Sequence, residues 1–518
     1  MRRFFKRLLL PTFLLSVLAA FLWIQSGAYH WQDGSVRIHE SAAKRKVILL
    51  LVDSLLADSM EKLVRNNEAP ALAFLLKKGI YRRDMISSFP TMSVTIDSTM
   101  LTGTYADQHH VPGLLWFHPE ERRMIDYGDG LRVVRNPGLF QWFSDSFYQL
   151  NQRHLSKQTT TLHEDLAANG FTSGSINGLV YRGPRRHHFG IKGINSLDVQ
   201  GPDQLALGAL SRVTGDSLPD GPFRSMGMNS EYTTRSIVGL VKQKRLSDVT
   251  IAYFPDLDGE LHKRGPSSLE GVKKLDRQLQ EILNAFPSWE EALNRHIFIL
   301  MGDNGVTATH SSEDAALIDL ESILSGFRFY RMGRKQQPAD DVAIAANGRM
   351  CYVYALSERV SLAALIDRLK RDERIDVIAW QDHERIYVQQ GEKEMSYKSG
   401  GALRDEFGRR WDIRGDWSVM NLKRRKEDGS LISSTYPDGL RRLESTLQSH
   451  AGRFMIITAR PGTEFAAGGA PNHPDGGNHG SLHASDSLFP FVIAANETIP
   501  PPPKRIVDLK RYILSLIQ

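Results

Sequence analysis

Four long apolar segments, in which hydrophobic residues follow one another without alternation, dominate the pattern of hydrophobic and polar positions along the chain. They are residues 46–55 (KVILLLVDSL), 247–259 (SDVTIAYFPDLDG), 295–305 (RHIFILMGDNG) and 486–496 (DSLFPFVIAAN). A continuous apolar run indicates a strand that is buried on both faces, as the strands of parallel sheets are. The four segments therefore predict a sheet at the centre of the protein.

Helical patterns separate these segments. Residues 69–79 (APALAFLLKKG) and 268–286 have apolar positions at helical spacing. Strands that alternate with helices predict an α/β fold with a mostly parallel central sheet. Residues from about 306 to 470 are rich in charge and in shorter, partly amphipathic patterns, and we interpret them as insertions or a small cap. A proline-rich stretch then leads into a predicted C-terminal helix within residues 501–518.

The N-terminus combines basic residues with an apolar segment. Arg2, Arg3, Lys6 and Arg7 precede residues 8–24, a stretch of 17 without an ionisable side chain. This order is typical of a signal anchor or a signal peptide, and the stretch is near the short limit for crossing about 30 Å of hydrocarbon. We predict a signal anchor or signal peptide at residues 1–28 and a linker at 29–45. The rest of the chain would then be extracytoplasmic, either held at the cell membrane by one transmembrane helix or secreted after cleavage.

The charge and the single cysteine narrow the range of functions. The net charge is +6 at pH 7, and subtracting the four N-terminal charges leaves +2 for all other residues. A nucleic-acid-binding surface needs clustered basic residues on a folded domain, and we identify no such footprint in the sequence. Cys351 is the only cysteine, which excludes a disulfide or a thiolate metal cluster within one chain. A metal site must therefore use carboxylates, imidazoles, amides and hydroxyls.

Carboxylates follow three of the predicted strands. Asp53 comes at the end of the first strand, Asp256 and Asp258 follow the second, and Asp303 follows the third. In open parallel sheets, ligands bind outside the carboxyl ends of the strands, and carboxylates gathered there repel one another unless a cation neutralises them. A single aspartate after a strand can be only the N-cap of the next helix. Its repetition in three strands favours a cation site.

Two histidines extend this candidate metal site. His262 follows Asp258 by four residues, a spacing that places both side chains on one face of a helix. Asp256 is the alternative ligand, although its spacing to His262 is less suitable. His479 lies in a glycine-rich loop, DGGNHGSLH, ahead of the last predicted strand. The glycines let backbone approach closely and leave the imidazole accessible.

Four motifs in the chain resemble, in the same order, those of the type I phosphodiesterase and nucleotide pyrophosphatase branch of the alkaline phosphatase superfamily. They are PTMSVTIDSTMLTGTYADQHHV (residues 90–111), the D-x-x-x-H-x-x-G-P pattern of residues 258–266, GDNGV (302–306) and the HG of residues 479–480. The resemblance covers residues 46–496 and is weakest from about 306 to 470. It implies a three-layer alkaline-phosphatase-like fold for residues 46–500 with an inserted cap region, and a phosphodiesterase or phosphatase activity.

The resemblance also implies roles for individual residues. The nucleophile position falls on Ser93, whose hydroxyl would attack phosphorus and give a phosphoseryl intermediate that water then releases. Two divalent cations would clamp the reacting oxygens. The first cation would be held by Asp258, His262 and His479, and the second by Asp53, Ser93, Asp303 and Asn304. Oxygen and imidazole ligands suit Zn²⁺, with Mn²⁺ as the alternative, and the expected substrate is a phosphate ester.

Two positions depart from the family pattern. Asn304 stands where the family has a second-metal histidine, and His310 is a nearby imidazole that could assist. Ile96 stands where the pyrophosphatase branch has an asparagine that steadies the phosphoryl oxygens, and Asn177 is a candidate replacement. These departures leave two alternatives open. One is a weakened or inactive surface binding protein of the same fold, and the other is an envelope phospho-headgroup transferase that uses the same serine intermediate.

Overall fold

The computed structural model describes residue 43 and residues 45–128, 139–189, 197–215, 218–467 and 470–517. The predicted signal anchor or signal peptide at residues 1–28 lies outside these ranges, as does most of the linker. Within the described ranges we find no helix that combines the length and the hydrophobicity needed to span a bilayer.

Strands and helices alternate along most of the chain. The strands are β1 (Lys46–Val52), β2 (Gly79–Ile86), β3 (Leu115–His118), β4 (Arg123–Asp126), β5 (Ser173–Ile176), β6 (Arg185–Phe189), β7 (Leu197–Gly201), β8 (Gln204–Ala206), β9 (Val249–Phe254), β10 (His296–Met301), β11 (Thr307–Ala308), β12 (Leu317–Asp319), β13 (Val342–Asn347), β14 (Met350–Ala355), β15 (Ile375–Asp382), β16 (Arg385–Gln390), β17 (Lys393–Arg404), β18 (Arg410–Gly415), β19 (Lys423–Arg424), β20 (Leu431–Ile432), β21 (Phe454–Ala459), β22 (Glu464–Ala466), β23 (Gly477–Asn478) and β24 (Leu488–Ala494).

The α-helices are α1 (Ala57–Arg65), α2 (Pro70–Lys78), α3 (Ser93–Thr102), α4 (Ala106–His109), α5 (Leu139–Ser144), α6 (Leu162–Ala168), α7 (Ser230–Lys242), α8 (Asp256–Arg264), α9 (Glu270–Leu283), α10 (Trp289–Arg295), α11 (Glu313–Ala316), α12 (Leu320–Ile323), α13 (Leu362–Leu369), α14 (Gly439–Leu447), α15 (Ala484–Ser487) and α16 (Leu509–Ile517). A π-helix spans Asp145–His154, and short 3₁₀ helices span Gly208–Leu210, Pro222–Gly227, Trp417–Met420 and Ile506–Asp508. Proline at the start of α2 is favourable because the first N–H groups of a helix have no partner within it.

A seven-stranded sheet lies at the centre of the protein, in the order β2-β24-β10-β1-β9-β5-β8. The neighbours from β10 to β8 pair in parallel, whereas β24 is antiparallel to β10 and to β2. All four apolar segments identified in the sequence are strands of this sheet. The prediction of an α/β fold with a mostly parallel central sheet is confirmed.

Both faces of the central sheet are covered by helices. Ile48 and Leu50 of β1 belong to one hydrophobic cluster with Leu279 of α9, whereas Leu49 belongs to a second cluster with Met100 of α3. Because successive side chains of a strand point to opposite faces, these two clusters lie on opposite sides of β1. This double burial explains why β1 reads as a continuous apolar run.

The charge-rich stretch between residues 306 and 470 contains a second regular sheet. Seven antiparallel strands lie in the order β13-β14-β21-β15-β16-β17-β18. The prediction of shorter elements missed this sheet, because its strands β16 to β18 are amphipathic, although β14 and β21 are buried throughout. In β16, for example, Ile386 and Val388 are buried while Arg385 and Tyr387 are only partly covered. Antiparallel sheets that expose polar positions carry charge of this kind.

A buried arginine connects the second sheet to the central one. Arg349 forms an ion pair with Asp486, and both side chains are fully buried. Its Nη1 also donates to Thr307 Oγ1 at 2.7 Å, and its backbone N–H donates to the carbonyl of His479 at 2.8 Å. Asp486 precedes β24 and Thr307 follows β10. The second sheet therefore holds the loop that carries His479 against the central sheet.

Candidate functional site

The carboxyl ends of three neighbouring strands meet at one edge of the central sheet. The central strand β1 pairs with β9 on one side and with β10 on the other. Asp53 directly follows β1, α8 with Asp258 follows β9, and Asp303 follows β10. The sheet order thus brings together the three carboxylates that the sequence places far apart.

Asp258, His262 and His479 form the first group. His262 Nε2 lies 3.3 Å and His479 Nε2 lies 3.2 Å from Asp258 Oδ1, and one ligand atom from each residue lies within 4.8 Å of the others. The two Nδ1 atoms face backbone carbonyls, at 2.8 Å for His262 and Gly477, and at 2.6 Å for His479 and Thr91. An Nδ1–H that donates to a carbonyl leaves Nε2 free to bind a metal.

The charges of this first group support one another. Burial opposes ionisation of Asp258, but the adjacent His262 and His479 outweigh burial and hold the pKa of this carboxyl well below its usual range. Burial likewise opposes protonation of His262, yet the Asp258 charge raises the pKa of the imidazole to about 9. Without a cation, the site therefore compensates the carboxylate with a proton on His262. A metal ion would take the place of that proton.

Asp53, Asp303 and Asn304 form the second group. Each of them has one buried side-chain oxygen without a hydrogen-bond partner among the described residues: Oδ1 of Asp53, Oδ2 of Asp303 and Oδ1 of Asn304. The other polar atoms of these side chains are engaged, since Asp303 Oδ1 accepts from the Ser54 N–H at 2.8 Å and Asn304 Nδ2 donates to the Gly305 carbonyl at 2.9 Å. Buried oxygens are rarely left without a partner, so these three atoms are suited to bind a cation.

The two groups are linked by Ser54, a residue that the sequence reasoning missed. Its Oγ donates to Asp258 Oδ1 at 2.9 Å and accepts from Asn304 Nδ2 at 3.0 Å. Ser54 has a φ of 60°, a left-handed conformation that is uncommon outside glycine. The available signal was a short hydroxyl residue directly after the aspartate at the end of β1.

The second group accumulates negative charge. Burial, followed by the charges of Asp303 and Asp258, raises the pKa of Asp53 well above its usual range. Burial, with a smaller contribution from Asp97, raises the pKa of Asp303 to about 8. Asp97 itself is 2% exposed, and its Oδ1 has no hydrogen-bond partner within the described part of the chain. Asp97 was also missed as a site residue, although it lies one helical turn after Ser93.

Ser93 begins helix α3 and faces the second group. Its Oγ lies 3.5 Å from Asp53 Oδ2. The other hydroxyls of this helix are used locally: Thr95 donates to the Val111 carbonyl, Ser98 to the Val94 carbonyl, Thr99 to the Thr95 carbonyl and Thr102 to the Ser98 carbonyl. Within the described part of the chain, Ser93 is thus the only one of these five residues whose hydroxyl contacts a carboxylate of the site.

Tyr253 on β9 is a third residue that the sequence reasoning missed. Its hydroxyl donates to Asp53 Oδ2, and burial together with the Asp53 charge raises the pKa of this phenol well above its usual range. Tyr253 therefore remains a donor at all ordinary pH values and fixes the Asp53 carboxylate. A tyrosine in an otherwise apolar buried strand is a usable signal, because a buried hydroxyl needs a partner.

Asn177 and Asp256, the two alternative site residues suggested by the sequence, make their contacts elsewhere in the fold. Asn177, the candidate replacement for the phosphoryl-binding asparagine, donates to the Gly227 carbonyl at 2.9 Å and accepts from the Gly208 N–H at 3.0 Å, so its amide serves the fold. Asp256, the alternative ligand, accepts from the Ser230 N–H and pairs with Lys274. Asp258 rather than Asp256 is the carboxylate that faces the histidines.

Comparisons with known proteins identify the family and the fold. A profile of the family described as type I phosphodiesterase / nucleotide pyrophosphatase matches residues 47–482. The solved structure of human ectonucleotide pyrophosphatase / phosphodiesterase 5 is 15% identical with a TM-score of 0.55, and the match covers 91% of this chain and 95% of that chain. The murine protein, as an inactive form in complex with AMP, is 13% identical with the same TM-score and coverage.

A bacterial enzyme gives a similar match. Phosphonoacetate hydrolase from Sinorhizobium meliloti 1021, in complex with phosphonoacetate, is 13% identical with a TM-score of 0.56, and the match covers 92% of this chain and 96% of that chain. A search of curated proteins finds no match. At these identities the solved structures show a shared fold, and the family profile covers most of the sequence. The chain belongs to the type I phosphodiesterase / nucleotide pyrophosphatase family.

Proposed function

We propose that this protein is a metal-dependent hydrolase of phosphoric esters, of phosphodiesterase or phosphatase type, with Ser93 as its nucleophile. The observation that carries the proposal is the position of the Ser93 hydroxyl, 3.5 Å from Asp53 Oδ2, beside a group with three unpartnered buried oxygens. A hydrolase of this family needs an activated alcohol and a charge that stabilises the transferring phosphoryl group. Membership of a phosphodiesterase family agrees with this chemistry.

The residues present fit a pair of divalent cations. Asp258, His262 and His479 would hold one ion through one oxygen and two Nε2 atoms. Asp53, Asp303 and Asn304 would hold the other through their unpartnered oxygens, with Ser93 beside it. Bound cations would neutralise the carboxylates and polarise the phosphate ester. The oxygen and imidazole donors favour Zn²⁺, and the amide oxygen in place of an imidazole makes Mn²⁺ a suitable second candidate.

The chain's own groups would carry out the displacement. Ser93 Oγ would attack phosphorus in line with the departing alcohol, forming the phosphoseryl bond as the ester bond breaks. Water would then attack the same phosphorus, release phosphate or a monoester and restore the hydroxyl. Helix α3 begins at Ser93, so the N–H groups of its first turn favour the negative charge of the phosphoryl oxygens. Ile96 is fully buried in the core and takes no part in this contact.

The N-terminal pattern supports a location for this activity. We propose that residues 1–28 export the chain, so that the catalytic part lies on the extracytoplasmic side. Cell fractionation, combined with N-terminal sequencing of the mature protein, distinguishes a retained anchor from a cleaved signal peptide. Recovery of the untagged full-length protein only from the cytosol would contradict export.

Chelation is expected to abolish turnover. Because the site would gather its negative charge around two cations, removing them with EDTA and desalting should lower the hydrolysis of p-nitrophenyl phosphate and bis(p-nitrophenyl) phosphate by more than about 100-fold. Adding Zn²⁺ or Mn²⁺ should restore it. Full activity after verified metal removal would exclude the proposal. Absence of both bound metal and turnover in the untreated protein would instead favour the inactive binding protein.

Tyr253→Phe is expected to lower kcat/KM by about tenfold, the effect of one hydrogen bond to a charged group. The hydroxyl lowers the pKa of Asp53, so its loss should raise that pKa further and move the acid limb of the pH–rate profile to higher pH. Tyr232→Phe is the matched control, because this buried hydroxyl donates to the Ser211 carbonyl at 3.0 Å, outside the site. An unchanged pH profile in Tyr253→Phe would contradict the positioning role.

A further inference from the structure

A second cluster of metal-ligating side chains lies outside the candidate active site. His118 is the last residue of β3, Glu121 lies in the turn that leads to β4, and His154 is the last residue of the π-helix. One ligand atom from each of these three residues lies within 4.8 Å of the others. None of the three belongs to the groups around Ser93. The cluster therefore has to be explained separately from phosphate-ester hydrolysis.

The distances in this cluster are close to those of a metal site. Glu121 Oε1 lies 3.5 Å from His154 Nε2 and 4.0 Å from His118 Nε2. Ligand atoms about 2.0–2.1 Å from a tetrahedral zinc ion lie roughly 3.3 Å from one another. A contraction of less than 1 Å along these two contacts would bring the atoms to that separation. Rotation of side chains at the end of a strand and in a turn is sufficient for this movement.

His154 is the buried member that points to a ligand. Its side chain is 4% exposed, and its Nε2 makes no hydrogen bond to any described residue but lies at ion-pair distance, 3.5 Å, from Glu121 Oε1. The other ring nitrogen, Nδ1, lies 2.7 Å from the Tyr127 hydroxyl, whose oxygen can accept a hydrogen bond from an Nδ1–H. An imidazole that is held through Nδ1, and whose buried Nε2 faces a carboxylate oxygen, is placed to share a cation with that carboxylate.

His118 and Glu121 supply the more accessible side of the cluster. The His118 side chain is 20% exposed, and its Nε2 is the ring nitrogen that faces Glu121 Oε1. Its Nδ1 accepts a long hydrogen bond of 3.3 Å from the Glu121 N–H; binding a metal through Nε2 would move the ring proton to Nδ1 and break this weak bond. The Glu121 side chain is 37% exposed, which gives an ion a route from solvent.

The positive charge of Arg123, beside this cluster, is compensated by neighbouring carboxylates. Arg123 Nε donates to Glu121 Oε2 at 2.7 Å, which leaves Oε1 facing the two histidines. The same guanidinium makes two hydrogen bonds with Asp145, of 2.6 and 2.9 Å. The bidentate pair with Asp145 neutralises the arginine, and its repulsion of a cation at Oε1 is correspondingly reduced.

We propose that His118, Glu121 and His154 form a separate binding site for a divalent transition-metal ion of the Zn²⁺ type. Two imidazoles and one carboxylate are a known zinc ligand set, and a water molecule would complete the tetrahedron on the exposed side. The ion would join the β3–β4 hairpin to the end of the π-helix. Its effect would be to stabilise this part of the fold, independently of turnover at Ser93.

Metal counting on the full-length protein tests the site. The protein is stripped with a chelator, incubated with Zn²⁺, desalted and measured by mass spectrometry of the metal. We expect the wild type to retain one more equivalent than His118→Ala and Glu121→Gln, and the affinity of that equivalent to fall by more than about 100-fold in each variant. His118 and Glu121 are chosen because they are more exposed than His154, so their replacement should leave the fold intact.

Three comparisons make the result decisive. His188→Ala removes a surface imidazole that is paired with Asp198 and should retain every equivalent. His479→Ala should lose metal from the catalytic groups only. Zn²⁺ should raise the Tm of the metal-free wild type more than that of His118→Ala, and the metal-free forms should melt alike. Equal zinc content and equal Tm shifts in the wild type, His118→Ala and Glu121→Gln would overturn the site and leave only the ion pair between His154 and Glu121.

Discussion

Ser93→Ala is expected to lower kcat for phosphate-ester hydrolysis by at least about 1,000-fold, because the variant would have no oxygen to form the proposed phosphoseryl bond. Among the hydroxyls of α3, only Ser93 contacts a carboxylate of the site, whereas Ser98 donates to the Val94 carbonyl at 2.7 Å. The measurement is steady-state hydrolysis of p-nitrophenyl esters at saturating metal. Acid quenching during turnover should also trap phosphate on the peptide that contains Ser93 in the wild type only.

Ser98→Ala is the matched control for this prediction. It removes a buried hydroxyl from the same helix, one turn after Ser93, without touching Asp53. We expect its kcat to stay within about threefold of the wild type, since a local bond of this kind contributes only on the order of 1 kcal/mol to stability. If Ser93→Ala retained turnover within tenfold of the wild type, a nucleophile other than Ser93 would have to be sought. The family assignment would be unaffected by that outcome.

Asp303→Asn is expected to separate activity from stability. The substitution removes one charge from the second group, so it should lower kcat/KM by at least about 100-fold through loss of metal affinity. In the metal-free protein the same change should stabilise the fold. Asp303 is fully buried, and its Oδ2 has no hydrogen-bond partner among the residues that the structure describes. Replacing this carboxyl by a neutral amide relieves the repulsion by Asp97 and Asp258.

The direction of the predicted change in stability follows from the pKa values of Asp303 and His262. The pKa of Asp303 is about 8 in the folded protein, above its ordinary value of 3.8, so between these values the folded state keeps a proton that the unfolded state has lost. Stability of the metal-free protein therefore falls as the pH rises through that window. The pKa of His262 is raised from 6.5 to about 9, which adds a loss in the same direction over the upper part of the range.

Thermal melting of chelated samples from pH 5 to pH 9 checks the expectation. The Tm of Asp303→Asn should exceed that of the wild type by a margin that grows from pH 5 to about pH 8 and then levels off, by about 1 °C for each kcal/mol of repulsion removed in a protein of this size. At saturating metal, the wild type should instead have the higher Tm. Asp256→Asn is the control, because this carboxylate is paired with Lys274 outside the site. A wild type that is more stable than Asp303→Asn at pH 9 without metal would contradict the charge assignment.

Much of the candidate site was accessible from residue order. Asp53 and Asp303 end apolar runs, and the four-residue spacing of Asp258 and His262 places them on one face of a helix, so elementary rules of strands and helices were enough to group them. His479 depended on the motif order, because a histidine in a glycine-rich loop has no local signal of its own. Ser54, Asp97 and Tyr253 could not be assigned in this way, since their roles arise from contacts with residues distant in sequence.

The second sheet could not be predicted from the pattern of apolar and polar residues. Strands β16 to β18 bury one face and expose part of the other, so buried residues such as Ile386 and Val388 alternate with less buried ones, whereas β14 and β21 are buried along their whole length. The residue pattern of the stretch as a whole predicts a series of short elements. Pairing between β14 and β21 joins residues about 100 positions apart. Local periodicity carries no information about such pairing, because register is decided by the partner strand and by burial on the assembled core.

The sequence by itself determined the class of fold and the identity of the groups that can do chemistry. Strands that are buried on both faces have to be apolar throughout. A carboxylate at the end of such a strand can therefore be recognised from the sequence. Tertiary structure decided that the Ser93 hydroxyl lies beside Asp53, which oxygens are left without partners among the described residues, and that Asn177 serves the fold. It also placed His118, Glu121 and His154 together. These outcomes depend on distances across strands and loops, and only the packed chain sets those distances.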